Sequence, residues 1–493
     1  MPVALLLNNG FSQVLSSKIM NLKHKIVKGG FYLALTNILQ QFTAIAVNIV
    51  LARLLMPSDF GLIAISTTYI GFISMFTNLG FGSAIIHDQK SSQEQLSSLY
   101  WINFVFSLFT FFIVVGTASW AASFYDEPRL TMVVLCLAVN ILITPIFSTH
   151  AKILERDIEF KILSRISLTA TFAGAVTGVV AAFAGIGVYA LVLHTLSATV
   201  IRMILILLIS AWKPSRVFRF SAIKSMVWYS VKFKISSSVL YVDRNIDYLV
   251  LGKVFSSVIL GYYAFAYNIM YTPVKRISYI FSGVLFPSFS AIRENRIKLI
   301  NAYFRSMRMI ALITFPTMVI LSLNAHLIIN FVFGHKWNDA LPIVQILCFA
   351  GAVQSISQVG GVVFASIGKP EVSTYVGLVR TALTVAAILV GAMHGILTVA
   401  YLLVVAKVLS FVLVLVVMNR FVRFSFTTLI SELSGPLMTA VGLIAVEALV
   451  RSIPLHISLF SKLNMMVVLS VLMTWGFHKQ LILETFAILR SRK

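Results

Sequence analysis

Three ionisable residues, Asp243, Arg244 and Asp247, stand together deep in a largely apolar stretch at 230–252. Asp243 and Asp247 are four apart and share one helical face, with Arg244 beside it. A charge at the centre of a bilayer costs at least about 2.5–3.5 kcal/mol on insertion scales, so its presence needs a reason. A carboxylate next to a cation can exchange a proton or a sodium ion when its surroundings change, which is the chemistry of ion coupling. More cations sit in apolar stretches elsewhere: Lys275 and Arg276 shortly after Pro273, Arg202, Arg380 and Lys407. The surplus is basic and suits an anionic group such as a pyrophosphate. Arg202 and Lys407 stand out because neither has an acidic neighbour in its own stretch. The competing reading is that these charges lock helices together, Asp243 pairing with Arg244 or Lys275, while Arg380 snorkels to the membrane interface.

The elements that must carry these residues are membrane spans. The chain has 493 residues, 59% hydrophobic and 11% charged, against about 25% charged in a globular protein. Hydropathy predicts about fourteen spans, at 31–55, 62–82, 99–122, 130–153, 164–184, 188–212, 230–252, 260–285, 308–332, 341–366, 374–393, 396–418, 433–452 and 462–483. Loops are short and no soluble domain is evident, so the fold class is all-α integral membrane. An even count puts both termini on one side. Lys18, Lys23, Lys25 and Lys28 in the tail, Lys213, Arg216, Arg219 and Lys224 after span six, and Arg293, Arg296 and Lys298 after span eight make that side cytoplasmic.

The same topology accounts for the net charge of +23. In a soluble chain it would suggest nucleic acid; here no nucleic-acid partner is expected, and the inner face attracts anionic membrane lipids. Cys136 and Cys348 fall inside spans and form no metal framework. No phosphate-binding loop of the ATPase type is present, so direct ATP hydrolysis is not expected. No cofactor is expected either.

Spacing reveals a duplication. Leu51–Gly61 and Leu251–Gly261 each end a span on a basic residue, Arg53 or Lys253, and each reaches a glycine eight positions on, Gly61 or Gly261. Gly185-Ile186 with Ala190 echoes Gly395-Ile396 with Ala400. These echoes align span one with seven and six with twelve. An even offset means the halves share one orientation, a parallel repeat of two six-helix lobes around a central cavity. The expected organisation is a cytoplasmic tail at 1–30, an N-lobe at 31–212, an amphipathic cytoplasmic linker at 213–229, a C-lobe at 230–420, and spans thirteen and fourteen with the C-terminal tail at 421–493. In the linker Phe220, Ile223 and Val227 share a face, as suits a helix on the inner leaflet.

The run Leu51-Ala52-Arg53-Leu54-Leu55-Met56-Pro57-Ser58-Asp59-Phe60-Gly61 resembles the first-loop signature of bacterial polysaccharide and lipopolysaccharide (O-antigen type) flippases. So do Asn78-Leu79-Gly80-Phe81-Gly82-Ser83-Ala84, Glu155-Arg156-Asp157-Ile158-Glu159-Phe160-Lys161 and Leu260-Gly261-Tyr262-Tyr263. This is the polysaccharide branch of the superfamily that also contains multidrug exporters and the lipid II flippase. The resemblance covers roughly residues 30–370. It implies a bacterial inner-membrane transporter, not an enzyme, that moves an undecaprenyl-pyrophosphate-linked oligosaccharide across the bilayer by ion-coupled alternating access. The implied partners are the lipid-linked oligosaccharide, a proton or sodium ion, and the polysaccharide polymerase with its chain-length machinery. Arg244, Arg202, Lys407, Lys275, Arg276 and Arg380 would then bind substrate, and Asp243 and Asp247 would couple the ion. Gln40, Gln41 and Asn48 in span one would bond either to sugar hydroxyls or to neighbouring helices. A multidrug exporter would prefer an acidic cavity for cationic drugs. A membrane-embedded glycan polymerase would need a larger loop outside the membrane.

Overall fold

The computed structural model describes residues 29–30, 32–77, 85, 91–452, 465–466 and 468–470. Most of the basic N-terminal tail, the run Asn78–Ala84 and most of span fourteen lie outside these residues. Among the described residues there are thirteen long helices and no strand. They are α1 Tyr32–Leu54, α2 Pro57–Thr77, α3 Gln93–Phe124, α4 Arg129–Arg156, α5 Phe160–Phe183, α6 Tyr189–Ile209 and α7 Phe220–Val254. Then come α8 Ser257–Ala291, α9 Arg296–Leu323, α10 Leu341–Ser366, α11 Pro370–Ala392, α12 Ile396–Phe421 and α13 Phe426–Ser452. Each coincides with one expected span. Eleven of the thirteen contain a stretch long and apolar enough to cross a membrane. The two that do not are α7 and α8, the helices bearing Asp243, Arg244, Asp247, Lys275 and Arg276.

The chain divides into two compact units, 1–238 and 239–493, and the division falls inside α7. In the first unit α2 packs on α3 and α4, α3 on α4, α4 on α5 and α6, and α5 on α6. In the second, α8 packs on α9 and α10, α9 on α10, α10 on α11 and α12, and α11 on α12. Adding six to each helix number turns one set of pairings into the other, so the duplication heard in the motifs extends to the packing. The junctions agree as well: α1 ends at Leu54 and α7 at Val254, while α2 begins at Pro57 and α8 at Ser257.

These motifs do structural work. Pro57 opens α2, where its missing N–H costs nothing, and the Asp59 carboxylate accepts the Met56 N–H at 3.0 Å. At the equivalent junction Ser256 caps α8, its hydroxyl accepting from the Ile259 N–H. Gly174 and Gly178 let α5 approach α6 closely, since a Cβ at either would lie 2.7 Å from an atom of His194; small residues four apart commonly make such contacts in membranes.

Two expectations about boundaries need correcting. The expected span 308–332 is shifted, because α9 starts earlier and ends at Leu323. Asn295 caps its first turn, and Arg296, Lys298, Arg305 and Arg308 ride on the helix. Arg308 reaches Glu432 of α13 at 2.9 Å, tying α13 to α9. After Asn324 the apolar run continues through a short helix, a π-turn at Ile329–Phe333 and Gly334 at φ 93°, so hydropathy alone could not find the break. The amphipathic stretch 213–229 is likewise not a separate helix. Residues 211–219 form an irregular strap, and 220–229 are the first turns of α7. The strap lies on the start of α3. Gln93 donates to the Lys213 carbonyl and accepts from the Trp212 indole, Ser97 accepts from the Ser215 N–H, and Ser98 accepts from the Arg219 N–H. Arg219 pairs with Glu94 at 2.9 Å, and Ile223 and Met226 are buried beside Leu96 and Leu99.

Candidate functional site

The intramembrane charges of α7 are held by the second unit, and not by the neighbours expected. Asp243 takes a bidentate contact from Arg380 of α11, Nε at 3.1 Å and a terminal nitrogen at 2.7 Å. The Thr381 hydroxyl adds a third bond at 3.1 Å. The expected pairing of Asp243 with Arg244 or Lys275 gives way to this one, and Arg380 is a partner of Asp243 instead of a snorkelling cation. Bidentate geometry of this kind is specific to arginine and strong.

Asp247, one turn further, is 5% exposed. One of its oxygens accepts the Tyr263 hydroxyl at 2.8 Å, and the other, Oδ1, is buried without a hydrogen-bond partner. Asp243, Asp247, Tyr267, Thr384 and Lys407 border a void of about 10 Å³, which is at the lower limit for one water. The Thr384 hydroxyl is also buried and unpartnered. Tyr263, Tyr267 and Tyr271 line up on α8 at intervals of four, with successive ring centroids 6.0 and 5.6 Å apart.

Beside this void lies a cavity of about 420 Å³, bordered by Asp243, Arg244, Tyr271, Gln354, Ser357, Gln358, Arg380, Lys407 and Ser410 among others. Three cations and one carboxylate face it. Since Arg380 already neutralises Asp243, the remaining charge is carried by Arg244, which is exposed, and by Lys407 on α12. The arrangement can hold an anion at Arg244 and Lys407, and Lys407 also borders the void beside Asp247.

The other predicted residues are placed differently. Lys275 and Arg276 are exposed on α8 and do not border the cavity. Arg202 lies on α6 in the first unit, half-buried, its Nε enclosed without a hydrogen-bond partner. Gln40 donates to the Ser167 carbonyl and to the Thr171 hydroxyl of α5, so it ties helix to helix. Gln41 is half-buried and Asn48 exposed on α1. The Gln40–Thr171 contact has a counterpart in the second unit, because Thr171 and Thr381 are 210 apart, the offset of the second echo. Sequence reasoning missed Gln354, Ser357 and Gln358 on α10. Their spacing of three and four was visible, but neutral polar residues stand out less from an apolar span than charges do.

The profile of the family described as "Polysaccharide biosynthesis protein" matches residues 50–342. An "Uncharacterized membrane protein in cps region" of Klebsiella pneumoniae is 27% identical, covering 73% of this chain and 75% of that protein. The "Lipopolysaccharide biosynthesis protein WzxC" of Escherichia coli K12 is 23% identical, covering 76% of each. Among solved structures, the lipid II flippase MurJ in an inward closed conformation superposes with a TM-score of 0.73 at 12% identity, over 90% of this chain and 97% of that one. At that identity the likeness speaks for the fold alone. It agrees with the multi-pass helical architecture and its paired sets of helices, and with a family match over more than half of its length, the chain belongs to the polysaccharide biosynthesis protein family.

Proposed function

We propose that this protein is a flippase moving an undecaprenyl-pyrophosphate-linked oligosaccharide from the cytoplasmic to the periplasmic leaflet of the bacterial inner membrane. The observation that carries this reading is the charge balance of the second-unit cavity, where Arg244, Arg380 and Lys407 face one carboxylate, Asp243. A water-filled basic cavity inside a membrane protein stabilises a phosphate headgroup while the lipid tail remains in the bilayer. Family membership, the name of the WzxC relative and the MurJ-like fold all support a lipid-linked substrate. The basic surplus disfavours the second reading, an exporter of cationic drugs. The protein acts as a transporter and performs no covalent chemistry on the glycan.

Transport is by alternating access coupled to a proton or sodium gradient. Of the two aspartates, Asp247 is the better coupling group: Asp243 is committed to Arg380 and Thr381, whereas Asp247 keeps one buried oxygen unpartnered beside a water-sized void. Both termini face the cytoplasm, and polysaccharide polymerase and chain-length proteins act downstream on the delivered substrate.

The test is glycan display in cells whose only copy is a variant. Arg244→Ala, Arg202→Ala and Lys407→Ala should each abolish display although the protein reaches the membrane. Arg→Lys at 244 and 202 should restore it in part, because the charge survives and the planar fork does not. Normal display in all three alanine variants would reject the reading.

A further inference from the structure

Beyond the charges, the cavity of the second unit carries a neutral polar face. Gln354, Ser357, Gln358 and Gly361 stand at intervals of three, four and seven on α10, and all four border it. Ser357 is 7% exposed and its hydroxyl has no hydrogen-bond partner. The amide oxygen of Gln354 is also buried and unpartnered. Buried polar atoms are nearly always satisfied, so each that is not marks a place where a partner belongs. Within an apolar span these groups have no packing reason to point inward together. The glycine completes the face: it borders the cavity without a side chain of its own, and a Cβ there would rest 3.4 Å from the Ser373 hydroxyl, which borders the cavity too. Tyr271 borders the same cavity and offers an aromatic surface of the kind on which the apolar side of a sugar ring rests.

An anion does not need such a face. Phosphate oxygens are acceptors and call for cations and N–H groups, whereas Gln354 Oε1 is an acceptor that requires a donor. A sugar hydroxyl both donates and accepts, as does the Ser357 hydroxyl. A cavity of about 420 Å³ is within the range of small-ligand sites, about 300–1,000 Å³.

We infer that the α10 face of Gln354, Ser357 and Gln358, in the cavity that Tyr271 also borders, is a glycosyl subsite that receives the sugar adjoining the pyrophosphate and selects among headgroups by that sugar. The inference rests on the flippase reading above and deepens it: Arg244 and Lys407 hold charge common to every such substrate, and the α10 face reads the part that differs.

The experiment uses the purified full chain in lipid nanodiscs, titrated with undecaprenyl pyrophosphate and with the same lipid carrying one glucose, galactose or N-acetylglucosamine, read by native mass spectrometry. The wild type should bind at least one glycosylated form about tenfold more tightly than the bare lipid, the equivalent of one or two well-made hydrogen bonds. Gln354→Ala and Ser357→Ala should each reduce that preference several-fold, and Gly361→Leu should remove it by filling the space. Gln358→Ala, at a half-exposed position, gives the same readout should Gly361→Leu fail to fold. Equal binding of bare and glycosylated lipid by the wild type, or a preference untouched in the α10 variants, would overturn the inference while leaving the flippase reading intact. Binding of no lipid pyrophosphate at all would overturn both.

Discussion

Asp243 and Asp247 sit one turn apart on α7 and are held in different ways. Asp243 is clamped by Arg380 and Thr381, and Asp247 shares one oxygen with Tyr263 and leaves the other bare. Removing one member of an enclosed ion pair strands the other, a loss of about 3–5 kcal/mol, while removing both costs far less. Asp243→Asn and Arg380→Gln should therefore each lower the thermal unfolding temperature of the purified protein, and the double variant should regain most of it. Asp247→Asn should keep the Tyr263 contact and the fold, but flipping in proteoliposomes should no longer respond to an imposed ion gradient. Gradient dependence preserved in Asp247→Asn would remove it from the coupling. The sequence displayed every one of these charges, because an ion in an apolar span is conspicuous. It concealed their pairing. Arg380 lies 137 residues from Asp243, and nothing in a one-dimensional pattern says which of six cations will arrive beside it.

At the scale of the helix, the apolar stretches of the sequence marked each described element, although the charges of α7 and α8 leave those two short of spanning hydropathy. They located helix ends less well. The apolar run beyond Asn324 hides a break made by backbone geometry, with Gly334 at φ 93°, and a change of backbone leaves hydrophobicity unaltered. Close approach is similarly silent in a hydropathy plot. Gly174 and Gly178 look like weak helix formers, yet their lack of a side chain is what admits α6. Gly178→Leu should therefore destabilise the α5–α6 pair by more than the roughly 1–3 kcal/mol of ordinary overpacking, because the obstructing atoms include His194 Cβ and backbone. Gly116→Leu on α3, where no atom lies within 4 Å of the added Cβ, is the matched control. Thermal unfolding of the two variants in one detergent checks this, and equal midpoints would discard the glycine contact as a determinant.

For the whole molecule, the repeat was legible as two short echoes, and packing bears it out helix by helix. Such a duplication survives in pairings long after side chains diverge: Gln40 and Asp243 are chemically unlike, but each bonds to the threonine of the fifth helix in its own unit, Thr171 or Thr381. The fourteen spans expected from hydropathy imply a definite topology that labelling can check. In a cysteine-free background, Ala222→Cys should react with an impermeant maleimide only after the cytoplasmic face is opened, and Asp126→Cys should react from outside in intact spheroplasts. The opposite pattern at either site would invert or break the assigned orientation.

The pairing of α7 with α11 also bears on how the protein is made. Asp243 leaves the ribosome 137 residues ahead of Arg380. At about 5–20 residues per second, α7 waits roughly seven to thirty seconds for its counter-charge. During that interval its charges are unbalanced, and its described residues hold no stretch apolar enough to cross a membrane by composition. The strap and the start of α3 both precede Asp243 in the chain, so the contacts that anchor the first turns of α7 need nothing that is made later. Asp243 therefore cannot meet its counter-charge until α8, α9, α10 and the first half of α11 have been made.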